Sequence, residues 1–225
     1  MPVYDAIFFD VDDTLLSFSK CSRQAFAETF AALEVPLEES AYACFLEIDR
    51  RLWARQKRGE ITVRQVLDRR FGQLAERLGI GLAGDMQAIF QEKLAQTHQT
   101  EPGAREILAY AGKIYPLYAA SNGIYDMQVQ RLKLAGLEPY FQDIFVSDAL
   151  GAEKPQREFF EQCLGKSGKR RKNTLWIGDS LEADIAGAAA VGLDTCWYNP
   201  QGLPAPDAPF PKYIVRKLYE CRKLI

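Results

Sequence analysis

Residues 10–14 read DVDDT and follow the apolar run AIFF, so three carboxylates fall within four residues at the end of a hydrophobic segment. Like charges that close repel and resist desolvation, which implies a positive partner unless the stretch is merely a polar turn. Three later segments supply complementary groups. Ser121, in the SNG of 121–123, brings a hydroxyl, Lys154 in GAEKP brings an ammonium, and Asp179 in GDS brings a further carboxylate. An all-oxygen set beside a lysine suits an anion and a hard divalent cation, and Mg²⁺ needs only one or two carboxylates plus ligand and water oxygens. Asp10 and Asp179 with a phosphate dianion would gather a formal charge of about −4, prohibitive in a low-dielectric pocket unless the cation and Lys154 offset it.

These groups can meet only if the chain delivers them to one place. Residues 3–9 read as a buried strand that runs into the acidic loop. From about residue 20 to 97 the pattern changes, and the segments beginning at Cys21, Tyr42, Thr62 and Asp85 carry apolar residues at three-and-four spacing, as four amphipathic helices would. After residue 101 strands and helices alternate. A helix near 103–111 precedes the strand YPLYAAS, and a helix around 125–135 precedes DIFVS. A helix around 156–164 then leads to TLWIGD, and one over 181–190 to TCWYN. Alternation of this kind implies right-handed crossovers and a mainly parallel sheet. The expected fold is α/β, with a Rossmann-like core over 1–16 and 100–225 and an inserted helical cap of four-helix-bundle type over 17–99. Ligands of such sheets bind beyond the carboxyl ends of the strands, where Asp10, Asp12, Ser121 and Asp179 all fall. The Pro-rich stretch 199–211 reads as a surface loop before a short terminal strand and helix.

Composition narrows the classes. The chain has 225 residues, 48% of them hydrophobic and 26% charged, enough to bury a real core. Its formal net charge of −2 leaves no broad footprint for a nucleic acid polymer or a membrane surface, and the basic run 165–173 reads as a solvated loop. No apolar stretch is long enough to span a bilayer, and the first residues lack a signal-peptide pattern, so the chain is expected in the cytoplasm. Five scattered cysteines without a CxxC pair argue against a disulfide framework or a zinc site. The single histidine, His98, has no nucleophile signature nearby, which leaves acid–base chemistry to carboxylates and lysine.

With DVDDT at 10–14, SNG at 121–123, EKP at 153–155 and GDSLEADI at 178–185, the chain resembles the haloacid dehalogenase superfamily of aspartate-nucleophile phosphohydrolases. The resemblance spans essentially the whole chain. It implies that Asp10 attacks phosphorus to form an aspartyl-phosphate and that Asp12 protonates the leaving oxygen and later deprotonates water. It also implies Mg²⁺ held by the carboxylates of Asp10 and Asp179 and the backbone carbonyl of Asp12. Ser121 with the amides of Asn122 and Gly123 would take phosphate oxygens, Lys154 would offset charge, and Asp184 would orient the ligands or Lys154. Asp13 reads as a turn residue and Ser180 as a helix cap.

Asp12 points to a phosphatase, because the dehalogenase branch lacks an aspartate two residues after its nucleophile. The flanking sequences DVDDTLLSF, SNGIYDMQVQRLKLAGL and IGDSLEADIAGAAAVGLDTCWYNP resemble the noncanonical pyrimidine nucleotidase branch, which implies nucleoside 5'-monophosphates as small-molecule substrates. Phosphatases of sugar phosphates or phosphoglycolate, and phosphomutases, are built on similar cores. A binding protein that had lost the chemistry would show the loss of Asp10 or Asp12. Substrate choice is expected to reside in the cap. Phe18, Trp53 and Tyr125 are candidates to stack on a base, although the helical pattern around Trp53 also fits ordinary packing. The sequence names no partner protein.

Overall fold

The computed structural model describes residues 3–81, 86–205, 207–208 and 211–225. The chain divides into two compact units, Met1–Ser17 with His98–Ile225 and Phe18–Thr97.

The first unit is built on a parallel six-stranded sheet of β1 (Ala6–Asp10), β2 (Leu117–Ser121), β3 (Phe141–Val146), β4 (Thr174–Gly178), β5 (Asp194–Tyr198) and β6 (Tyr213–Val215), in the spatial order β3-β2-β1-β4-β5-β6. The order reverses between β1 and β4, and such a reversal opens a crevice beyond the strand ends. Strand β1 is buried along its whole length because each face meets its own apolar layer. Ile7 and Phe9 join Ala119, Val146 and Ile177 on one face, while Phe8 joins Tyr118, Phe145 and Trp176 on the other. Phe8 stacks on Tyr118 at 4.7 Å and on Trp176 at 5.3 Å between ring centroids. A buried phenylalanine of this kind contributes about 1.5–3 kcal/mol, so the strand that ends in Asp10 is firmly anchored.

Around the sheet run α5 (Ala104–Ala111), α6 (Tyr125–Leu134), α7 (Ser147–Leu150), α8 (Arg157–Ser167) and α9 (Gly187–Ala190), numbered after the four helices of the second unit. The helix expected over 181–190 is not uniform. Residues Leu181–Ala186 form a π-helical stretch, with the Ile185 amide reaching back to the Ser180 carbonyl at 3.1 Å, before α9 begins. The basic run 165–173 is only partly a loop. Helix α8 continues to Ser167 because the left-handed stop falls at Gly168, with φ of 66°, and not at Gly165. The terminal segment is β6 followed by a 3₁₀ turn, Leu218–Lys223. In the Pro-rich stretch Pro206, Pro209 and Phe210 lie outside the described residues, and the remainder is irregular.

The second unit contains α1 (Phe18–Ala32), α2 (Ala41–Lys57), α3 (Val63–Leu78) and α4 (Met86–Ala95). Asp85, expected to open the fourth helix, lies outside the described residues. Phe26, Phe45, Phe71 and Phe90, one from each helix, meet at centroid distances of 5.1–6.3 Å. Thr62 and Gln65 form a reciprocal capping box that starts α3, and Gly79 at φ 65° ends it. Among the described residues no helix is long and apolar enough to cross a membrane.

Candidate active site

The site is assembled on the rim of the first unit. Asp10 is the last residue of β1 and is 6% exposed. Lys154, 2% exposed, extends its ammonium between two carboxylates: Nζ lies 2.5 Å from Asp10 Oδ1 and 2.7 Å from Asp184 Oδ1, and it also donates to the Ala120 carbonyl at 3.2 Å. Asp10, Asp179 and Asp184 each offer an oxygen within 4.8 Å of the others. Two of these carboxylates, Asp10 and Asp184, bind the Lys154 ammonium directly, and the third stands beside them.

The electrostatics reflect that crowding. Burial, reinforced by Asp184 and Asp12 and only partly relieved by Lys154, pushes the Asp10 carboxyl up to about 7. Burial together with Asp10 and Asp184 holds the Asp179 carboxyl well above the usual carboxylate range. Burial works against the Lys154 ammonium, but Asp10 and Asp184 outweigh it and raise its pKa. A cluster of hard oxygen donors that is short of positive charge is chemically suited to a divalent cation. Asp184 has little left to give such an ion. Its Oδ1 accepts from Lys154 and, at 3.3 Å, from Trp176 Nε1, while its Oδ2 accepts the Ser180 amide at 3.2 Å. Asp10 and Asp179 are the pair that fits.

Local structure explains how Asp184 reaches back. The π-helical stretch turns its carboxylate toward the end of β4, where Gly178 leaves the space; a Cβ there would lie 2.4 Å from the Asp184 carboxyl carbon. Ser180 Oγ accepts from the Ala183 amide and caps the turn. Trp197 Nε1 donates to the Asp179 carbonyl at 2.7 Å, so each of two indoles fixes one acidic residue of the cluster.

The segment after β2 is arranged differently from its sequence reading. Asn122 binds the backbone of Lys154 reciprocally, with Nδ2 donating to the Lys154 carbonyl and the Lys154 amide donating to Oδ1, both at 2.8 Å. The Gly123 amide, expected to face a phosphate, instead donates to Ser147 Oγ at 3.0 Å. Ser121 is 2% exposed, and its Oγ accepts from Gln128 Nε2 at 2.8 Å. Asp13 adopts φ of 58°, a left-handed conformation that Asp tolerates in turns, and its amide donates to the Leu16 carbonyl.

Asp12 has partners that the motif reading missed. Arg131 Nη1 donates to Oδ1 and Gln128 Nε2 to Oδ2, each at 2.6 Å. Gln128 and Arg131 stand three apart on the buried face of α6, next to Leu132. Two polar residues three apart beside Leu132, on the face of α6 that is buried, were the available signal. Of the three aromatic candidates, Tyr125 is 38% exposed, and Phe18 and Trp53 are partly exposed.

A parallel sheet carrying an aspartate at the end of its first strand, a buried lysine and a trailing acidic pair defines a hydrolase core. Residues 4–192 match the haloacid dehalogenase-like hydrolase family, and the chain belongs to that family. It is an enzyme, a phosphatase. It is 35% identical to the HAD-hydrolase YfnB of Bacillus subtilis over 98% of this chain and 94% of that protein. A crystal structure of YfnB bound to magnesium superposes with a TM-score of 0.93 over 98% of both chains at 34% identity. Pyrimidine 5'-nucleotidase PynA of Streptococcus pneumoniae is 35% identical over 89% of this chain and 86% of its own length. Pyrimidine 5'-nucleotidase YjjG of Escherichia coli is 30% identical over 99% and 98%.

Proposed function

We propose that the chain is a Mg²⁺-dependent phosphomonoester hydrolase that works through an aspartyl-phosphate on Asp10, and that its substrates are pyrimidine nucleoside 5'-monophosphates. The observation that carries the chemistry is the cluster of Asp10, Asp179 and Asp184, whose oxygens lie within 4.8 Å of one another, with the Lys154 ammonium bound to Asp10 and Asp184. The substrate class rests on similarity to the two pyrimidine 5'-nucleotidases.

In the first step an Asp10 oxygen attacks phosphorus, the ester P–O bond breaks, and the departing alkoxide takes a proton from Asp12. In the second, Asp12 accepts a proton from water as the water oxygen attacks phosphorus, the P–O bond to Asp10 breaks, and inorganic phosphate leaves with the Asp10 carboxylate restored. Lys154 offsets charge on the phosphoryl group and on Asp10, and Asp184 holds the ammonium in place. The Ser121 hydroxyl and the backbone N–H of Asn122 take phosphoryl oxygens, while the Gly123 amide is held by Ser147. Asp10, Asp179 and the Asp12 carbonyl would hold Mg²⁺, which when bound supplies the positive charge the cluster lacks and polarises the phosphoryl oxygens. The helical unit Phe18–Thr97 acts as the cap that selects the leaving group, with Phe18 and Trp53 as its aromatic candidates and Tyr125 as that of the core.

The test is phosphate release from UMP, dTMP, purine monophosphates, glucose 6-phosphate and phosphoglycolate, with Mg²⁺ and with EDTA. Metal-dependent release favouring the pyrimidine esters is expected. Preference for a sugar phosphate or phosphoglycolate would keep the chemistry and overturn the nucleotide assignment; no release from any ester with Mg²⁺ present would overturn both.

A further inference from the structure

Gln128 on α6 is fully buried, and its side-chain amide is completely used. Both hydrogens of Nε2 are committed, one to Asp12 Oδ2 at 2.6 Å and one to Ser121 Oγ at 2.8 Å, while Oε1 accepts from Arg131 Nη1 at 3.0 Å. Arg131, also fully buried, closes the ring by donating to the other oxygen of Asp12 at 2.6 Å. The acceptors around Nε2 and the guanidinium beside Oε1 fix the amide in one orientation.

Two consequences follow from that orientation. Because Gln128 occupies a lone pair of Ser121 Oγ as a donor, the Ser121 hydroxyl hydrogen must point elsewhere and is available to an anion. Because the same nitrogen also binds Asp12, the carboxylate is held at a set distance from that hydroxyl. Gly123 accommodates the arrangement, since a Cβ there would lie 3.3 Å from Gln128 Nε2.

We propose that Gln128, braced by Arg131, is a positioning residue that sets the Ser121 hydroxyl as a donor to the phosphoryl group and aims Asp12 at the leaving oxygen of the same substrate. The proposal rests on the reading of Asp12 as the proton donor given above. Gln128 acts on the substrate only through Asp12 and Ser121, the two side chains its amide nitrogen holds.

A leaving group that needs no proton separates this role from general support of the fold. Phosphate release with Mg²⁺ is measured for wild-type, Gln128→Met and Asp12→Asn proteins on UMP, an alkyl ester, and on p-nitrophenyl phosphate, whose leaving group departs as a stable anion. Correct aim of a general acid is worth on the order of 10²-fold in rate. Gln128→Met is expected to lower kcat on UMP by about 10²-fold and on the nitrophenyl ester only a few-fold, while weakening competitive inhibition by inorganic phosphate about 10-fold. Equal losses on the two esters in Gln128→Met, with a selective loss in Asp12→Asn, would overturn the proposal alone. Equal losses in Asp12→Asn would overturn the reading of Asp12, and the proposal with it. If Gln128→Met does not fold, Gln128→Glu keeps the size and the acceptor for Arg131 while replacing the shared donor, and the same selective loss is expected of it; a wild-type ratio of the two esters in that variant would overturn the proposal.

Discussion

Lys154 Nζ lies 2.5 Å from Asp10 Oδ1, with the two side chains 3% and 8% exposed. The same ammonium is 2.7 Å from Asp184, whose side chain is 1% exposed. Removing it leaves the buried Asp10 and Asp184 without the ammonium that both bind, a loss that costs about 3–5 kcal/mol. Lys154→Met protein is expected to lose turnover and to unfold at lower urea concentration. Urea titration with and without Mg²⁺ checks this, and unchanged stability in EDTA would contradict the charge balance described here.

Asp10→Asn separates chemistry from stability in the opposite direction. The amide keeps the size but is not a nucleophile, and it removes one of the crowded carboxylates. Turnover should fall by at least about 10³-fold. In EDTA the melting temperature should stay level or rise. Single-turnover phosphate release together with a thermal melt decides both halves, and near-wild-type turnover would sink the assigned nucleophile.

The Asp10 carboxyl has an ordinary value of 3.8 and is raised to about 7 by burial and neighbouring carboxylates. Between those values the folded protein binds a proton that the unfolded chain has released, so stability is fully present below the lower value and is lost as pH rises through the upper one. Metal-free protein should therefore become less stable from about pH 4 to about pH 7, and the stabilisation gained on adding Mg²⁺ should grow over the same window. Melts in EDTA and in Mg²⁺ across that range test the sign; an EDTA curve that rises with pH would refute it.

The sheet was legible because its strands are short apolar runs bounded by turns: residues 6–9, 117–120 and 174–178 are buried throughout. The helical unit was legible from its three-and-four spacing, and the rim residues from their positions at strand ends. What the sequence concealed depends on contacts between distant segments. Nothing near Asn122 indicates that its amide will bind the backbone of Lys154, 32 residues on. A six-residue stretch is too short for its apolar pattern to distinguish a π-helical turn from an α-helix, so the extra width that carries Asp184 back to Lys154 and Ser180 was invisible. Gln128 and Arg131 left a trace, as polar residues at helical spacing beside Leu132.

Within the helical unit, Arg70 and Asp49 form a buried pair at 3.1 Å with side chains 3% and 6% exposed. Arg70 Nε also donates to Gln87 Oε1 at 2.8 Å, and its guanidinium lies 4.8 Å from the centre of the Phe90 ring. Deep burial makes such a pair costly to break from one side, because the abandoned charge keeps its desolvation penalty without its partner. Arg70→Met alone is expected to cost about 3–5 kcal/mol, and so is Asp49→Leu. The double substitution replaces both charges by apolar groups among Phe45, Phe71 and Phe90, and should recover most of that loss. A double-mutant cycle by urea unfolding reads the coupling directly. Additive losses would mean that the pair contributes as two separate contacts, and that the aromatic cluster can house a lone arginine or aspartate without penalty.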